Sequence, residues 1–287
     1  EVFVKILLNG LTGGHSGAEI HKGLGNSNKI LFSVLSQLNS KFEIKICSIN
    51  GGGLRNAIPR ESHVKISFNK EKFDLFKQII KNSSESFSDE FQNTDPNLNL
   101  EFSLFTDKIK SLSKYDSKEL INAINKCPNG VFQMSKSVEG LVETSNNLAN
   151  IKLCEDELKI QCLTRSSSEK SKSQLSGLIS SLFENISCNC KFSGGYPGWE
   201  PNFDSPTLKE VKDSYTKLFS SEPKVNVIHA GLECGIIGSH YPKMDMISFG
   251  PTILGAHSPD EKASISSTQK FWKFFIEILR NIPEKIN

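Results

Sequence analysis

A chain of 287 residues, 37% of them apolar, is long enough for one large domain or two ordinary ones. The net charge is +2, with Lys and Arg scattered and no aromatic-basic motif, which argues against nucleic acid as the main partner. No run of about 18 apolar residues occurs, so no membrane span is expected, and no signal-peptide pattern opens the chain. The seven cysteines are odd in number and lack metal-type spacing, which suits a reducing cytoplasmic setting better than a disulfide framework. Cys188-Asn-Cys190 would place two thiols on one face of a strand. The chain begins with Glu1 and enters a strand pattern at once, so a fragment or a processed chain is expected.

Residues 2–8 alternate and then saturate with apolar side chains, as a half-buried strand does. A glycine-rich loop follows, with Gly13-Gly-His-Ser-Gly17 at its centre. The glycines permit tight turns and leave the His15 imidazole uncrowded. No Gly-Lys-Ser/Thr follows at phosphate-loop spacing, so the alternative is a plain strand-to-helix connection with an incidental histidine. Residues 28–38 have helical spacing, and 43–49 read as a strand ending in a hairpin-type turn at Gly51-Gly-Gly53. Arg55-Asn-Ala-Ile-Pro-Arg60 leads into a strand at 62–68, with Pro59 marking an edge, a bulge or a strand start. A helix at 73–87, a turn cluster at Asn93-Thr-Asp-Pro-Asn97 and a strand at 98–105 complete a first α+β pattern. It partly repeats: helix 116–125, strands 138–153 and 157–165, helix 168–183 and strand 186–192. Residues 1–195 therefore read as two α+β units with helices over antiparallel sheets.

Character changes at the Pro-rich connector Tyr196-Pro-Gly-Trp-Glu-Pro-Asn202. Ser205-Pro206 should cap and open a helix over 209–219. Short buried strands are expected at 225–228 and 245–249, and a final amphipathic helix at 263–282. Helix, strand, helix, strand, helix is an α/β pattern, here a partial one that needs further strands. His257 lies in the loop between the last strand and the last helix, where open α/β sheets place their chemistry. Neutral imidazole is the commonest metal ligand; the alternative is that Ser258-Pro-Asp-Glu261 only forms the helix's capping turn.

The motifs, in order, resemble a family. They are Gly13-Gly-His-Ser-Gly17, Leu54-Arg-Asn-Ala-Ile-Pro-Arg-Glu61, Val142-Glu-Thr-Ser-Asn146, Tyr196-Pro-Gly-Trp199, His229-Ala-Gly-Leu-Glu-Cys-Gly235, Met244-Asp-Met246 and Gly250-Pro-Thr252 with His257-Ser-Pro-Asp-Glu-Lys262. The chain resembles the aminoacyl-histidine (cytosolic non-specific) dipeptidases, two-zinc peptidases with a lid inserted in a catalytic domain. The resemblance implies that residues 1–195 are the lid and 196–287 the C-terminal return into the catalytic domain. It implies two zinc ions, with manganese or cobalt as alternatives, and His257 as a metal ligand. His15 would reach over the site and stabilise the oxyanion. Asn56 and Arg165 would hold the carboxylate and backbone of a dipeptide, including Xaa-His, and Gly231 and Glu233 would form the turn beside it. Glu233 could equally be a helix-start dipole partner. Trp199 reads as an anchor of the lid hinge, and Cys234, with no activating base in view, as an ordinary thiol. A homodimer through the lid is implied, with no membrane partner.

The chain also departs from the family. None of its six histidines has Asp two places later, and no Glu-Glu pair occurs. These are the family's upstream metal ligands and catalytic carboxylate. An active zinc takes about three protein ligands, so the chain as given is expected not to hydrolyse peptides. The second reading is a naturally truncated, non-catalytic lid that acts as a dimerisation or binding module.

Overall fold

The computed structural model describes residues 1–106, 109–136, 138–154, 157–195, 197–199, 202–227, 233–254 and 261–282. The chain divides into two compact units, Glu1–Gly195 and Tyr196–Asn287.

The strands of the first unit are β1 (Val2–Asn9), β2 (Gly14–His15), β3 (Lys45–Gly52), β4 (Ala57–Ile58), β5 (Ser62–Phe68), β6 (Asn99–Leu104), β7 (Gly130–Met134), β8 (Val142–Cys154) and β9 (Glu157–Ser166). The short β2 and β4 pair with each other, and the other seven form one antiparallel sheet in the order β6-β1-β5-β3-β8-β7, with β9 also on β8. Four helices, α1 (Ser27–Lys41), α2 (Phe73–Glu90), α3 (Lys114–Lys126) and α4 (Glu169–Glu184), complete the unit. Alternate residues of β1, Val4, Ile6 and Leu8, are fully buried, as a one-faced strand requires. They share a core with Ile46 and Ile49 of β3, Val64 and Ile66 of β5, and Phe32 and Leu35 of α1. Phe76 of α2 is fully buried, its ring 5.1 Å from that of Phe68 and 5.1 Å, edge-on, from that of Phe102. Asn26 caps α1 by accepting from the amides of Asn28 and Lys29 at 3.0 and 3.3 Å. Lys29 in turn caps the far end of α3, donating to the carbonyls of Ile124, Asn125 and Cys127 at 2.9, 2.7 and 2.8 Å. Burial there pushes its ammonium pKa down.

One sheet replaces the two expected units because β8 is long. β3 pairs with its 150–153 stretch, β7 with its 142–146 stretch, and β9 runs along 144–154. A single strand thus joins both halves. β7 went unforeseen because Val131, Phe132 and Met134 are all exposed, so no alternation of burial marks it. The expected turn at Gly51-Gly-Gly53 is partly strand: Gly51 and Gly52 belong to β3, and Gly52 has φ 72°. A Cβ there would lie 1.9 Å from the Ala149 carbonyl oxygen, so only glycine fits. The expected strand at 186–192 does not form. Ser187 adopts a left-handed φ of 62° and the Cys188 amide donates to Phe183 O at 3.1 Å, folding the chain back onto the end of α4.

In the second unit, Ser205 caps α5 (Pro206–Phe219) as its sequence suggests, accepting from the Leu208 amide at 2.9 Å. Its hydroxyl donates to Asp245 at 2.7 Å, and the Thr207 amide donates to the same oxygen at 2.9 Å. The Thr207 amide, then the Ser205 hydroxyl, holds the Asp245 carboxyl below its usual pKa. α6 (Glu233–His240) and α7 (Ile265–Arg280) follow, with the two-residue pair β10 (Ile253–Leu254) and β11 (Lys262–Ala263). Ser264 caps α7, which starts at Ile265 rather than 263; most of the turn at 258–261 lies outside the described residues. The rings of Tyr215, Phe249 and Phe274 pack between α5 and α7.

Among the described residues the expected partial α/β sheet is not formed. Among the described residues, 225–227 and 244–249 belong to no ladder. An extended segment becomes a strand only when a neighbour takes up its backbone N–H and C=O groups, and no described strand lies beside these two. Phe76→Ala should cut the first unit's stability by about 3–5 kcal/mol, read as a lower urea midpoint.

Candidate functional site

The loop between β1 and α1 carries His15, and its two ends are tied to one carboxylate. Asp95 is 1% exposed; its oxygens accept from the Thr12 amide at 2.8 Å and from the Gly25 amide at 2.8 Å. The Thr12 hydroxyl adds a bond of 2.7 Å to Thr94 O. Inside the loop, Gly14 and His15 pair with Ile58 and Ala57, and the Ser16 amide donates to Asn56 O at 2.8 Å. The Asn56 turn is held from its other side by Asn147 of β8, also 1% exposed. The Asn147 amide group donates to the carbonyls of Arg55 and Ala57 at 3.0 and 2.8 Å. Both neighbours of Asn56 are therefore fixed to the sheet.

The His15 ring is oriented by its own loop. Nδ1 accepts from the amides of Gly17 and Ala18 at 3.2 and 3.0 Å. An Nδ1 that accepts carries no hydrogen, so the neutral ring bears its proton on Nε2. The His15 amide donates to Glu19 at 2.8 Å. Lys22 first, and this amide second, hold the Glu19 carboxyl below its usual pKa.

Gly17 separates His15 from Arg165. A Cβ at Gly17 would lie 3.1 Å from His15 Cε1 and 3.3 Å from Arg165 Nε, so the bare backbone lets imidazole and guanidinium close on one another. Arg165 stands on β9 opposite Ser145 of β8, which puts both side chains on one face of the sheet. Arg165 Nε is buried and has no hydrogen-bond partner among the described residues, and neither do the hydroxyls of Ser145 and Ser16. A buried donor left without an acceptor costs roughly 1–3 kcal/mol. The spot is built for an acceptor, and a planar guanidinium favours a carboxylate.

The first unit thus gathers His15, Asn56 and Arg165 around one loop. Glu233 belongs to the second unit, exposed at the first position of α6. Gly231 and His257 lie outside the described residues. Burial, and then the neighbouring Glu233 charge, raise the Cys234 pKa, so Cys234 is no ready nucleophile. Trp199 lines an apolar cavity of about 330 Å³ with Val225, Phe249 and Phe274. Asp95, Asn147 and Ser145 escaped the sequence reading. A buried Asp in a turn cluster looks like any surface turn until its partners, far along the chain, are known.

No cluster of three or more His, Cys, Asp or Glu side chains able to hold a metal occurs among the described residues. An active zinc takes about three protein ligands, so these residues alone do not fit a zinc site.

Residues 6–95, within the first unit, match the peptidase dimerisation domain. Over 98% of its length the chain is 39% identical to the cytosol non-specific dipeptidase of Escherichia coli (strain K12). The crystal structure of aminoacylhistidine dipeptidase from Vibrio alginolyticus matches 99% of it with a TM-score of 0.91 and 38% identity. The chain is thus a relative of the cytosol non-specific and aminoacylhistidine dipeptidases, as its motifs indicated. It spans 58% of the length of each of these two relatives.

Asp95→Ala should lower stability by about 2–4 kcal/mol, because the buried Gly25 amide and the part-buried Thr12 amide lose their acceptor. Hydrogen exchange at Thr12 and Gly25 should accelerate well before the sheet opens; unchanged protection there would remove Asp95 from its clamping role.

Proposed function

We propose that this chain is the lid and C-terminal part of a metal-dependent cytoplasmic dipeptidase that hydrolyses dipeptides, including Xaa-His. The observation that supports this most is Arg165 Nε, buried and unpartnered among the described residues, across Gly17 from the His15 ring. Arg165 takes the dipeptide's terminal carboxylate through a charge-assisted fork. Asn56 binds the substrate's backbone beside it. His15, with its proton on Nε2, donates to the oxyanion that develops on the scissile carbonyl. Gly231 and Glu233 are the further substrate-binding residues of this reading. His257 would be one ligand of the zinc, manganese or cobalt ion that such an enzyme uses. The lid forms a homodimer.

The match of residues 6–95 to a dimerisation domain favours a second reading: a non-catalytic lid that only dimerises or binds. The intact mass of the native gene product separates the two. A mass well above 31.9 kDa, with His-x-Asp and Glu-Glu elements in the added sequence, supports the dipeptidase. A mass near 31.9 kDa favours the binding module.

In the whole enzyme, Arg165→Ala should raise KM for dipeptides by about 10- to 100-fold with the metal content unchanged. A carboxyl-amidated dipeptide should be far less affected; an equal loss on it removes Arg165 from the carboxylate site. His257→Ala should lower the metal content and abolish turnover. Full metal with full activity would sink its role as a ligand.

A further inference from the structure

Glu19 grips both backbone groups of His15. Its carboxylate accepts from the His15 amide at 2.8 Å, and its own amide donates to the His15 carbonyl at 3.0 Å. The other carboxylate oxygen accepts from Lys22 at 2.8 Å. Gly14 leaves the carboxylate its room: a Cβ there would lie 2.8 Å from Glu19 Oε2 and 2.9 Å from Leu24 Cδ1. Ser16, Gly17 and Ala18 are closed into a tight loop between the two gripped ends. The amides of Gly17 and Ala18 are the donors to His15 Nδ1, at 3.2 and 3.0 Å. Beyond Glu19 the chain enters a short 3₁₀ turn, Ile20–Lys22, and the Lys22 amide donates to the Glu19 carbonyl at 3.0 Å. Ile20 is buried with Ile58 and Val142, which anchors that turn. Glu19 thus stands between an anchored turn and the imidazole.

We propose that Glu19 is the positioning residue for His15: by holding the His15 amide it fixes the loop whose two amides aim the ring and keep its proton on Nε2. The reason is geometric. Two successive amides converge on one ring nitrogen only if the chain after the histidine is bent back. Nothing in Ser16-Gly-Ala18 enforces that bend, and Gly17 is the residue freest to leave it. The reciprocal bonds between residues 15 and 19 enforce it. Without the carboxylate the His15 amide turns to solvent, the loop relaxes, and the two ring nitrogens compete for one proton. A neutral imidazole has one donor and one acceptor nitrogen, and the bond made by one decides the role of the other. The accepting oxygen carries this effect rather than the charge, because an exposed pair such as Lys22–Glu19 contributes little. A glutamine at this position would offer the same acceptor. A donor to a developing oxyanion acts only if it already points to where the charge forms, so the lock would act on the transition state. That consequence for turnover rests on the dipeptidase reading; the lock itself does not.

The test reads the ring's protonation in the full chain with ¹⁵N-labelled histidine, at about pH 8, above the ordinary histidine range. Long-range ¹⁵N–¹H spectra separate a ring nitrogen that carries hydrogen from one that does not, and the His15 signals are those lost in His15→Ala. The wild type should show a single tautomer with its hydrogen on Nε2. Glu19→Ala should move both nitrogens towards the averaged values of exchanging tautomers, and Glu19→Gln should restore the wild-type pattern. Unchanged signals in Glu19→Ala, or a Glu19→Gln that behaves like Glu19→Ala, overturn the proposal. If a variant fails to fold, the wild type decides: its His15 amide should resist hydrogen exchange, and exchange at the rate of an open loop amide overturns the proposal. In the whole enzyme, Glu19→Ala should lower kcat about 10-fold and leave KM within about 2-fold, whereas Arg165→Ala acts on KM. A wild-type kcat in Glu19→Ala removes the positioning role. A whole gene product that hydrolyses no dipeptide defeats the dipeptidase reading instead, and the ring spectra still decide the lock.

Discussion

Two buried polar side chains hold the irregular part of the first unit in place. Asp95 binds both ends of the His15 loop, and Asn147 binds the carbonyls on either side of Asn56. Loops have no ladder to satisfy their backbone groups, so a loop that lies against a core must find partners among side chains. Here those partners sit on the sheet or beside it, and the loops inherit the sheet's rigidity. Everything that distinguishes this face follows from that: the short pairing of His15 with Ala57, the bond from Ser16 to Asn56, and the wedge at Gly17.

The chemistry of the face rests on unmet hydrogen-bonding capacity. A fold that satisfies nearly all its buried polar groups leaves Arg165 Nε, the Ser16, Ser27 and Ser145 hydroxyls and Asn28 Oδ1 without partners among the described residues. Native structures tolerate such groups where a ligand completes them, which is why Arg165 and not a more exposed cation stands out. The second unit shows the same principle through its backbone. Its extended segments at 225–227 and 244–249 lie in no described ladder, and apolar side chains such as Ile236, Ile237 and Trp272 remain exposed. Relatives of greater length share its sequence, and it spans little more than half of them.

Much of the first unit was legible in the sequence, because period-2 and period-3.6 burial are local properties. β1, β5, α1 and α2 stand where the periodicity puts them. Three features were not. β7 has exposed apolar residues and so no readable alternation. The merging of two units into one sheet depends on a long β8 serving three neighbours. The segment after α4 turns back because Ser187 takes a left-handed conformation that its residue type does not announce. At the candidate site the glycines around His15 and the motif around Asn56 were visible, but the side chains that hold them were not.

The sequence by itself determined the helix and strand periods, the glycine positions, the N-cap at Ser205 and the kinship with the dipeptidases. Each of these is written in residues close together or in a motif copied whole. Only the tertiary structure decided that Asp95 is a clamp, that Asn147 braces Asn56, and that Arg165 meets His15 across Gly17. A hydrogen bond between residues tens of positions apart leaves no periodic trace in the chain. It exists only once burial has removed the competing water and packing has brought donor and acceptor together.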